Sequence, residues 1–518
     1  MTTVDPETFI NPLIEEQITV KRAEPCTLVI FGASGDLTAR KLLPALYNLS
    51  LDGQLPTHFA CVGFARRPKS HEEFRTEMET AVSQYSRVKP LDPQVWKDFS
   101  ESVFYHQSTF QDDEGYESLK ALLDDLDRKR GTSGNRVFYF STQPTFFPLI
   151  ADKLKQHGLI YDTDPSEKRW SRVIIEKPFG RNYQSALALQ ADIEKSMNES
   201  QVYRIDHYLG KETVQNLLTF RFSNSIFENL WNNNHIDHIQ MTQAEDIGIG
   251  TRGKLWEESG SLRDIVQNHM MQILSLVAME PPRNLEAASI HDEKVKVLES
   301  LRPIPTDQID EFVVRGQYGK GFVGGKEVKG YREEDNVSPT SNVETYAAMK
   351  LYIDNWRWDG VPFYLRTGKH LPKKSTDISI IFKKAPGILF QHPGHENESN
   401  VLSIRIQPDE GISLKTNCKV PGLPSPLQPV NLDFRYGEYF GLTPPEAYER
   451  LICDCMAGDP TLFARSDEVL ASWKELSPIL AHWDKNPPLD FPNYPAGSWG
   501  PQLADELINR DGRKWRLL

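Results

Sequence analysis

The sequence predicts an α/β unit followed by an α+β unit: an N-terminal doubly wound dinucleotide-binding domain, then a large, mainly antiparallel β+α domain. Three observations carry this. An apolar run, Thr27–Phe31, enters a glycine-rich turn, Gly32-Ala33-Ser34-Gly35-Asp36-Leu37, and then a helical pattern through Leu42, Leu43, Leu46 and Leu49. Strands and helices go on alternating to about Ile205, as a parallel sheet requires. From about His235 strands follow one another with few helical patterns between them, which suits an antiparallel sheet.

Taken in order, residues 1–24 read as a polar arm, 25–205 as the dinucleotide-binding domain and 206–518 as the β+α substrate and oligomerisation domain. At about 150 residues per domain the 518 residues suggest two to four domains. The arm has neither an apolar signal core nor an Arg-rich transit pattern, and five scattered cysteines suit reduced thiols, so a cytoplasmic protein is expected. Cys453 and Cys455 form a C-x-C with no second pair, and no metal is expected. No apolar run reaches the ~18 residues of a membrane span. A net charge of −13 disfavours nucleic acid and anionic membrane. An anionic small ligand would then need a local basic pocket.

The first strand, turn and helix have the order that a dinucleotide fingerprint needs, although G-A-S-G-D-L departs from G-x-G-x-x-G, Pro44 falls early in the helix, and an ordinary strand–helix turn is the competing reading. The second strand, Phe59–Phe64, ends in Ala65-Arg66-Arg67 without an acid. Basic residues there suit a 2′-phosphate, hence NADP, against the alternative of two solvated arginines. Further strands read at Ser102–Gln107, Arg136–Phe140, Ser171–Ile175 and Gln201–Ile205, with helices at Tyr116–Arg130, near Phe146–His157 and at Tyr183–Met197. The Ser171–Ile175 strand runs into Glu176-Lys177-Pro178-Phe179-Gly180, which sets Lys177 at the crevice mouth beyond the strand's carboxyl end.

Tyr203–Glu212 is the densest stretch of chemistry. It gathers Arg204, Asp206, His207, Tyr208 and Lys211, with a turn at Gly210 and a helix opening at Lys211-Glu212. A carboxylate, an imidazole, a phenol and an ammonium suit a phosphorylated sugar. Downstream, Gly260–Met279 reads as one amphipathic helix with Asp264 and Asn268 on a shared face and His269 beside it. Tyr364–Lys374 by itself reads as a solvated basic loop, and strands are expected at Ile236–Thr242, Ile378–Phe382, Val401–Ile406 and Ile412–Thr416. Pro421–Pro429 and Pro487–Gly500 read as loops. Ser472–Trp483 and Arg513–Arg516 carry no readable chemistry, and the C-terminal aromatics read as packing or subunit contact.

Five motifs in fixed order, Gly32–Leu37, Glu176–Gly180, Arg204–Lys211, Arg263–His269 and Arg366–Lys369, together closely resemble the glucose-6-phosphate dehydrogenase family. Tyr494–Gly500 and Arg510–Trp515 also look like that family. The resemblance implies oxidation of glucose 6-phosphate at C1 to 6-phospho-gluconolactone, with hydride passing to NADP. It implies that His269 is the general base, that Asp206 orients it, and that Lys177 contacts both substrate and cofactor. By the same resemblance His207, Tyr208 and Lys211 clamp the phosphate, Lys369 and Lys374 extend the positive pocket, and Glu245 and Asp264 hold sugar hydroxyls. Gly32, Ser34, Gly35, Asp36, Leu37, Arg66 and Tyr139 are implied on the cofactor side. A homodimer or homotetramer is expected. The competing readings are a dehydrogenase of a related aldose phosphate and a silent sensor or assembly protein of the same fold.

Overall fold

The computed structural model describes residues 23–161, 168–386, 398–422, 427–440 and 445–518. Residues 1–22 of the expected arm, and 423–426 of the expected Pro421–Pro429 loop, lie outside them. Six parallel strands form the first sheet: β1 (Cys26–Phe31), β2 (Phe59–Ala65), β3 (Val103–Gln107), β4 (Arg136–Phe140), β5 (Ser171–Ile175) and β6 (Val202–Ile205). Their spatial order is β3-β2-β1-β4-β5-β6. Strand order reverses between β1 and β4, and such a sheet takes its ligand beyond the carboxyl ends at that point.

Both faces of this sheet are covered, which is why its strands read as unbroken apolar runs. Val29 and Phe31 join one core with Tyr116, Leu119 and Leu123 of the helix Asp113–Arg130. Leu28 and Ile30 join another with Leu43 and Leu46 of the helix Leu43–Leu51. Each such side chain, fully buried, contributes about 1.5–3 kcal/mol. Two helices that the sequence did not announce, His71–Tyr85 and Pro93–Ser100, complete the second face. The early Pro44 is accommodated by a π-type turn at Thr38–Leu42. There the Leu43 amide donates to Thr38 O, five residues back, just before the residue that has no N–H.

The second sheet has eight strands: β7 (Ile236–Ala244), β8 (Val313–Gly316), β9 (Tyr346–Leu351), β10 (Phe363–Gly368), β11 (Ser375–Phe382), β12 (Val401–Gln407), β13 (Gly411–Lys419) and β14 (Leu427–Arg435). They lie in the order β14-β13-β12-β11-β7-β10-β9-β8. Every pairing is antiparallel except β7 with β10. β14 begins at Leu427, inside the stretch read as a proline-rich loop.

The chain returns to the first sheet near its end. β15 (Phe463–Ala464) pairs antiparallel with β6. The following helix, Ser466–Lys485, packs across the first domain, with Trp473 Nε1 donating to Phe179 O at 2.9 Å. Ser472 Oγ of the same helix accepts from Gln267 Nε2 of the second domain at 2.9 Å. The stretch Ser472–Trp483 is therefore the splint between the two halves. The terminal aromatics pack within the chain: Trp515 Nε1 donates to Ala504 O, and Arg366 lies between the Trp499 and Trp515 rings.

Candidate active site

The carboxyl ends of β1, β4, β5 and β6 open on one crevice. At the end of β1 the Gly32 amide donates to Phe64 O at 2.9 Å, and Gly32 has φ +91°. A Cβ there would stand 2.2 Å from Ser141 O, just past β4, so only glycine fits the reversal point of the sheet. Gly35 donates to Gly32 O at 2.9 Å, closing the turn. Ser34 is half-buried, while Gly35 and Asp36 are exposed, and Leu37 opens the π-type turn. Arg66 follows β2, the neighbour of β1, and its exposed guanidinium has no ion-pair partner among the described residues. Tyr139 is placed differently. It is fully buried in β4, and its hydroxyl donates to Glu176 Oε1 at 2.5 Å, so its side chain supports the Glu176-Lys177 turn from below.

Lys177 leaves β5 at the same rim. Its Nζ donates to His269 Nε2 at 2.9 Å, to Asp264 O at 2.8 Å and to Asp264 Oδ1 at 3.1 Å. Asp206 leaves β6 next to it. Asp206 Oδ1 accepts from His269 Nδ1 at 2.5 Å and from the Tyr208 amide at 3.0 Å. Both Asp206 and His269 are buried. With Nδ1–H pointing to a carboxylate and Lys177 donating to Nε2, the imidazole is the neutral Nδ1–H tautomer. Burial alone would raise the Asp206 carboxyl, but the His269 ring beside it prevails and brings it down to about 2. Burial lowers His269, Lys177 lowers it further, and the opposing pull of Asp206 does not restore it to the usual imidazole range.

The helix that carries His269 is not the single α-helix expected over Gly260–Met279. Gly260 has φ +67°, and the chain then forms a π-helix over Leu262–Met270 before an α-helix over Met271–Ala278. A π-helix bonds i to i+5, so residues five apart share a face. The correction is local but decisive: it is Asp264 and His269, not Asp264 and Asn268, that meet the same Lys177 ammonium. Asn268 turns back, its side chain accepting from the His269 amide and donating to Arg263 O.

The second sheet supplies the opposite wall. Its register sets Gly368 beside Ala244, so Lys369 and Glu245 leave β10 and β7 side by side and form an ion pair. Ser375 lies opposite Ala244 on the other flank, which brings Lys374 to the same rim. Lys369 is buried, its ammonium 4.8 Å from the centre of the Trp256 ring, and it helps Lys177 to hold Asp264 at about 2 against the upward effect of burial. The solvated-loop reading of Tyr364–Lys374 is thus overturned: Phe363–Gly368 is an interior strand, buried along its length, and only Pro372–Lys374 are exposed.

Beside His207 lies a cleft of about 740 Å³ and mixed charge, lined by Lys41, Lys211, Arg435 and Tyr448 together with the carboxylates of Glu212, Glu410 and Glu446. Tyr208 and Lys211 are held by Gln407 at the end of β12. Gln407 donates to the Tyr208 hydroxyl at 3.0 Å and accepts from Lys211 Nζ at 2.7 Å. Burial lowers Lys211, the opposing pull of Glu410 does not restore it, and its neighbours Lys374 and Lys41 lower it further. Burial also carries His207 well below the usual imidazole range. Its ring packs 4.6 Å from that of His269 and lies parallel to Tyr448 at 6.4 Å. Gln407, Lys41 and Tyr448 went unread in the sequence. Lys41 was visible as a cation one turn beyond the glycine motif, but Gln407 and Tyr448 carry no local pattern.

Asp206, His207 and His269 also bring three possible metal-ligand atoms within 4.8 Å of one another. Both nitrogens of His269 are engaged, by Asp206 and Lys177. No helix among the described residues is long and apolar enough to cross a membrane.

Residues 29–216 match the family profile "Glucose-6-phosphate dehydrogenase, NAD binding domain", and residues 218–516 match "Glucose-6-phosphate dehydrogenase, C-terminal domain". A glucose-6-phosphate 1-dehydrogenase of Chlamydia pneumoniae is 58% identical over 497 residues, covering 95% of this chain and 96% of its own. That of Chlamydia muridarum is 55% identical over 501 residues, covering 96% and 98%. A solved glucose-6-phosphate dehydrogenase in complex with its substrate glucose-6-phosphate superposes with a TM-score of 0.86 at 36% identity, covering 96% of this chain and 99% of that one. The chain belongs to the glucose-6-phosphate dehydrogenase family.

Proposed function

We propose that the chain oxidises glucose 6-phosphate at C1 to 6-phospho-gluconolactone, the first step of the oxidative pentose phosphate pathway, with NADP as acceptor. The observation that carries this is the buried Asp206–His269 pair, which stands at the rim of the dinucleotide crevice and packs against His207, itself part of the lining of the cleft that holds Lys41 and Lys211. His269 Nε2 is the base that takes the C1 hydroxyl proton. Asp206 holds the ring by Nδ1 and stabilises the imidazolium that forms. Lys177 donates to Nε2 before substrate arrives and turns to the sugar when it binds. Glu245, Asp264 and Lys369 hold sugar hydroxyls, while His207, Tyr208, Lys211 and Lys374 take the phosphate, with Lys41 beside them.

The residues present suit NADP. Gly32 admits close backbone approach at the reversal point of the sheet, and Arg66 offers an exposed guanidinium, without an ion-pair partner among the described residues, where NAD enzymes place an acid. Gly32, Ser34, Gly35, Asp36 and Leu37 would hold the pyrophosphate, Arg66 the 2′-phosphate, and Lys177 would reach the nicotinamide end. Tyr139 would act through Glu176. When bound, NADP accepts the hydride that leaves C1. We read the chain as a cytoplasmic homodimer or homotetramer, and the apolar Leu432 exposed on the edge strand β14 supports self-association.

The test is reduction of NADP and of NAD by the purified protein with glucose 6-phosphate, galactose 6-phosphate and glucose. Preference for glucose 6-phosphate with NADP is expected. Equal specificity constants for glucose would leave Lys211 and Lys374 without a phosphate to bind and overturn the substrate assignment.

A further inference from the structure

The motif Tyr494–Gly500 lies far in sequence from the site, and nothing in the proposed chemistry uses it. It folds against the Lys369–His370 turn. Tyr494 is buried, in a two-residue strand paired with Tyr318–Gly319. Its hydroxyl donates to Lys369 O at 2.9 Å and lies 3.1 Å from Thr345 Oγ1. The Lys369 amide donates to Thr345 O at 2.9 Å, so Thr345 and Tyr494 grip both sides of the residue.

The next residue is held in the same way. The Gly497 amide donates to His370 O at 2.7 Å, and a Cβ on Gly497 would stand 1.9 Å from Phe322 O. His370 itself has φ +48°, which a side-chain-bearing residue adopts only when its surroundings enforce it. Both carbonyls of the turn are therefore fixed from the C-terminal motif. What the turn presents is the Lys369 ammonium, paired with Glu245 and set over Trp256.

We propose that Tyr494 is a positioning residue for the Glu245–Lys369 pair, acting through the Lys369 carbonyl to set sugar affinity. This rests on the reading of that pair as part of the glucose 6-phosphate site. Without the hydroxyl, the Lys369 carbonyl loses its donor and the turn its register, while the base, the cofactor crevice and the phosphate cleft are untouched. The loss falls on binding shared by ground and transition states, which raises KM and spares kcat.

The experiment compares Tyr494→Phe with Tyr47→Phe in the full chain. Tyr47 is a matched control: an equally buried phenol in the first domain, accepting from the Asp92 amide at 2.9 Å. Loss of one such bond predicts a rise of about fivefold in KM for glucose 6-phosphate in Tyr494→Phe, with kcat and KM for NADP within about twofold, and no comparable rise in Tyr47→Phe. A sugar KM unchanged, or moved equally in both variants, or a parallel fall in kcat, would overturn the proposal. If Tyr494→Phe does not fold, hydrogen exchange on the parent decides: glucose 6-phosphate should slow the amides of 494–500, and unchanged exchange contradicts the link. The parent's own turnover of glucose 6-phosphate tests the underlying reading separately from these ratios.

Discussion

His269 Nδ1 lies 2.5 Å from Asp206 Oδ1, although the two residues stand 63 positions apart and on different elements. Asp206 is the first residue past β6, so a rigid parallel strand delivers it. His269 comes from the π-helix, whose wider turn sets it above Asp264. The second oxygen of Asp206 has no hydrogen-bond partner among the described residues, and the first has two, so the carboxylate is committed to one orientation.

The ionisation of this pair is directly measurable. Burial, then Lys177, lowers His269 below its usual 6.5, against the upward pull of Asp206. A base with a depressed pKa keeps its lone pair as pH falls through 6.5 and loses it only below. Ring-carbon NMR of the ligand-free protein should therefore show His269 still neutral at 6.5. Because the substrate phosphate titrates in a similar range, the free protein is the right sample. An imidazole half-protonated at or above 6.5 would contradict the assignment.

Cofactor choice hangs on Arg66. Replacing it with alanine removes a charge-assisted phosphate contact worth about 1.5–3 kcal/mol, which raises KM for NADP by about tenfold to a hundredfold and leaves KM for NAD little changed. Steady-state kinetics with both cofactors measures this. Equal effects on the two would remove the guanidinium from the 2′-phosphate site.

Stability depends on a buried cluster away from the chemistry. Glu468 of the helix Ser466–Lys485 accepts from Lys294 Nζ at 2.9 Å and pairs with His291 Nδ1 at 2.6 Å, and all three are buried. Burial alone would raise its carboxyl; Lys294 and His291 bring it instead from 4.5 to about 2. A depressed carboxylate stabilises fully above its unfolded value of 4.5, and that contribution is lost as pH falls from there through about 2. Glu468→Gln should cost about 3 kcal/mol at neutral pH, seen as a lower urea midpoint, because it strands the Lys294 charge. The difference from the parent should shrink as the medium is acidified below 4.5. A variant as stable as the parent at neutral pH would show the cluster to be neutral in effect.

The parallel sheet was legible because its strands are buried on both faces and read as apolar runs between helical patterns. The site residues were legible only where short motifs cluster them, as at Tyr203–Glu212. The π-helix was not, because a period of 3.6 fits the apolar residues of Leu262–Val277 well enough to hide the extra residue per turn. The stretch Tyr364–Lys374 by itself read as solvated for a different reason: three lysines and a histidine outweigh the apolar Phe363–Leu365 at its start, and the burial of Lys369 comes from neighbours distant in sequence. Lys211 could be found locally, but its partner Gln407 lies 196 residues away and no spacing links them.

The proposed oxidation depends most directly on His269. Its replacement by asparagine keeps a polar side chain of similar reach and removes the base. Turnover of glucose 6-phosphate with NADP should fall by about 10²–10⁴-fold, while calorimetry still shows glucose 6-phosphate bound. A variant that binds the sugar and turns over within about tenfold of the parent, less than general-base catalysis contributes, would contradict the central claim.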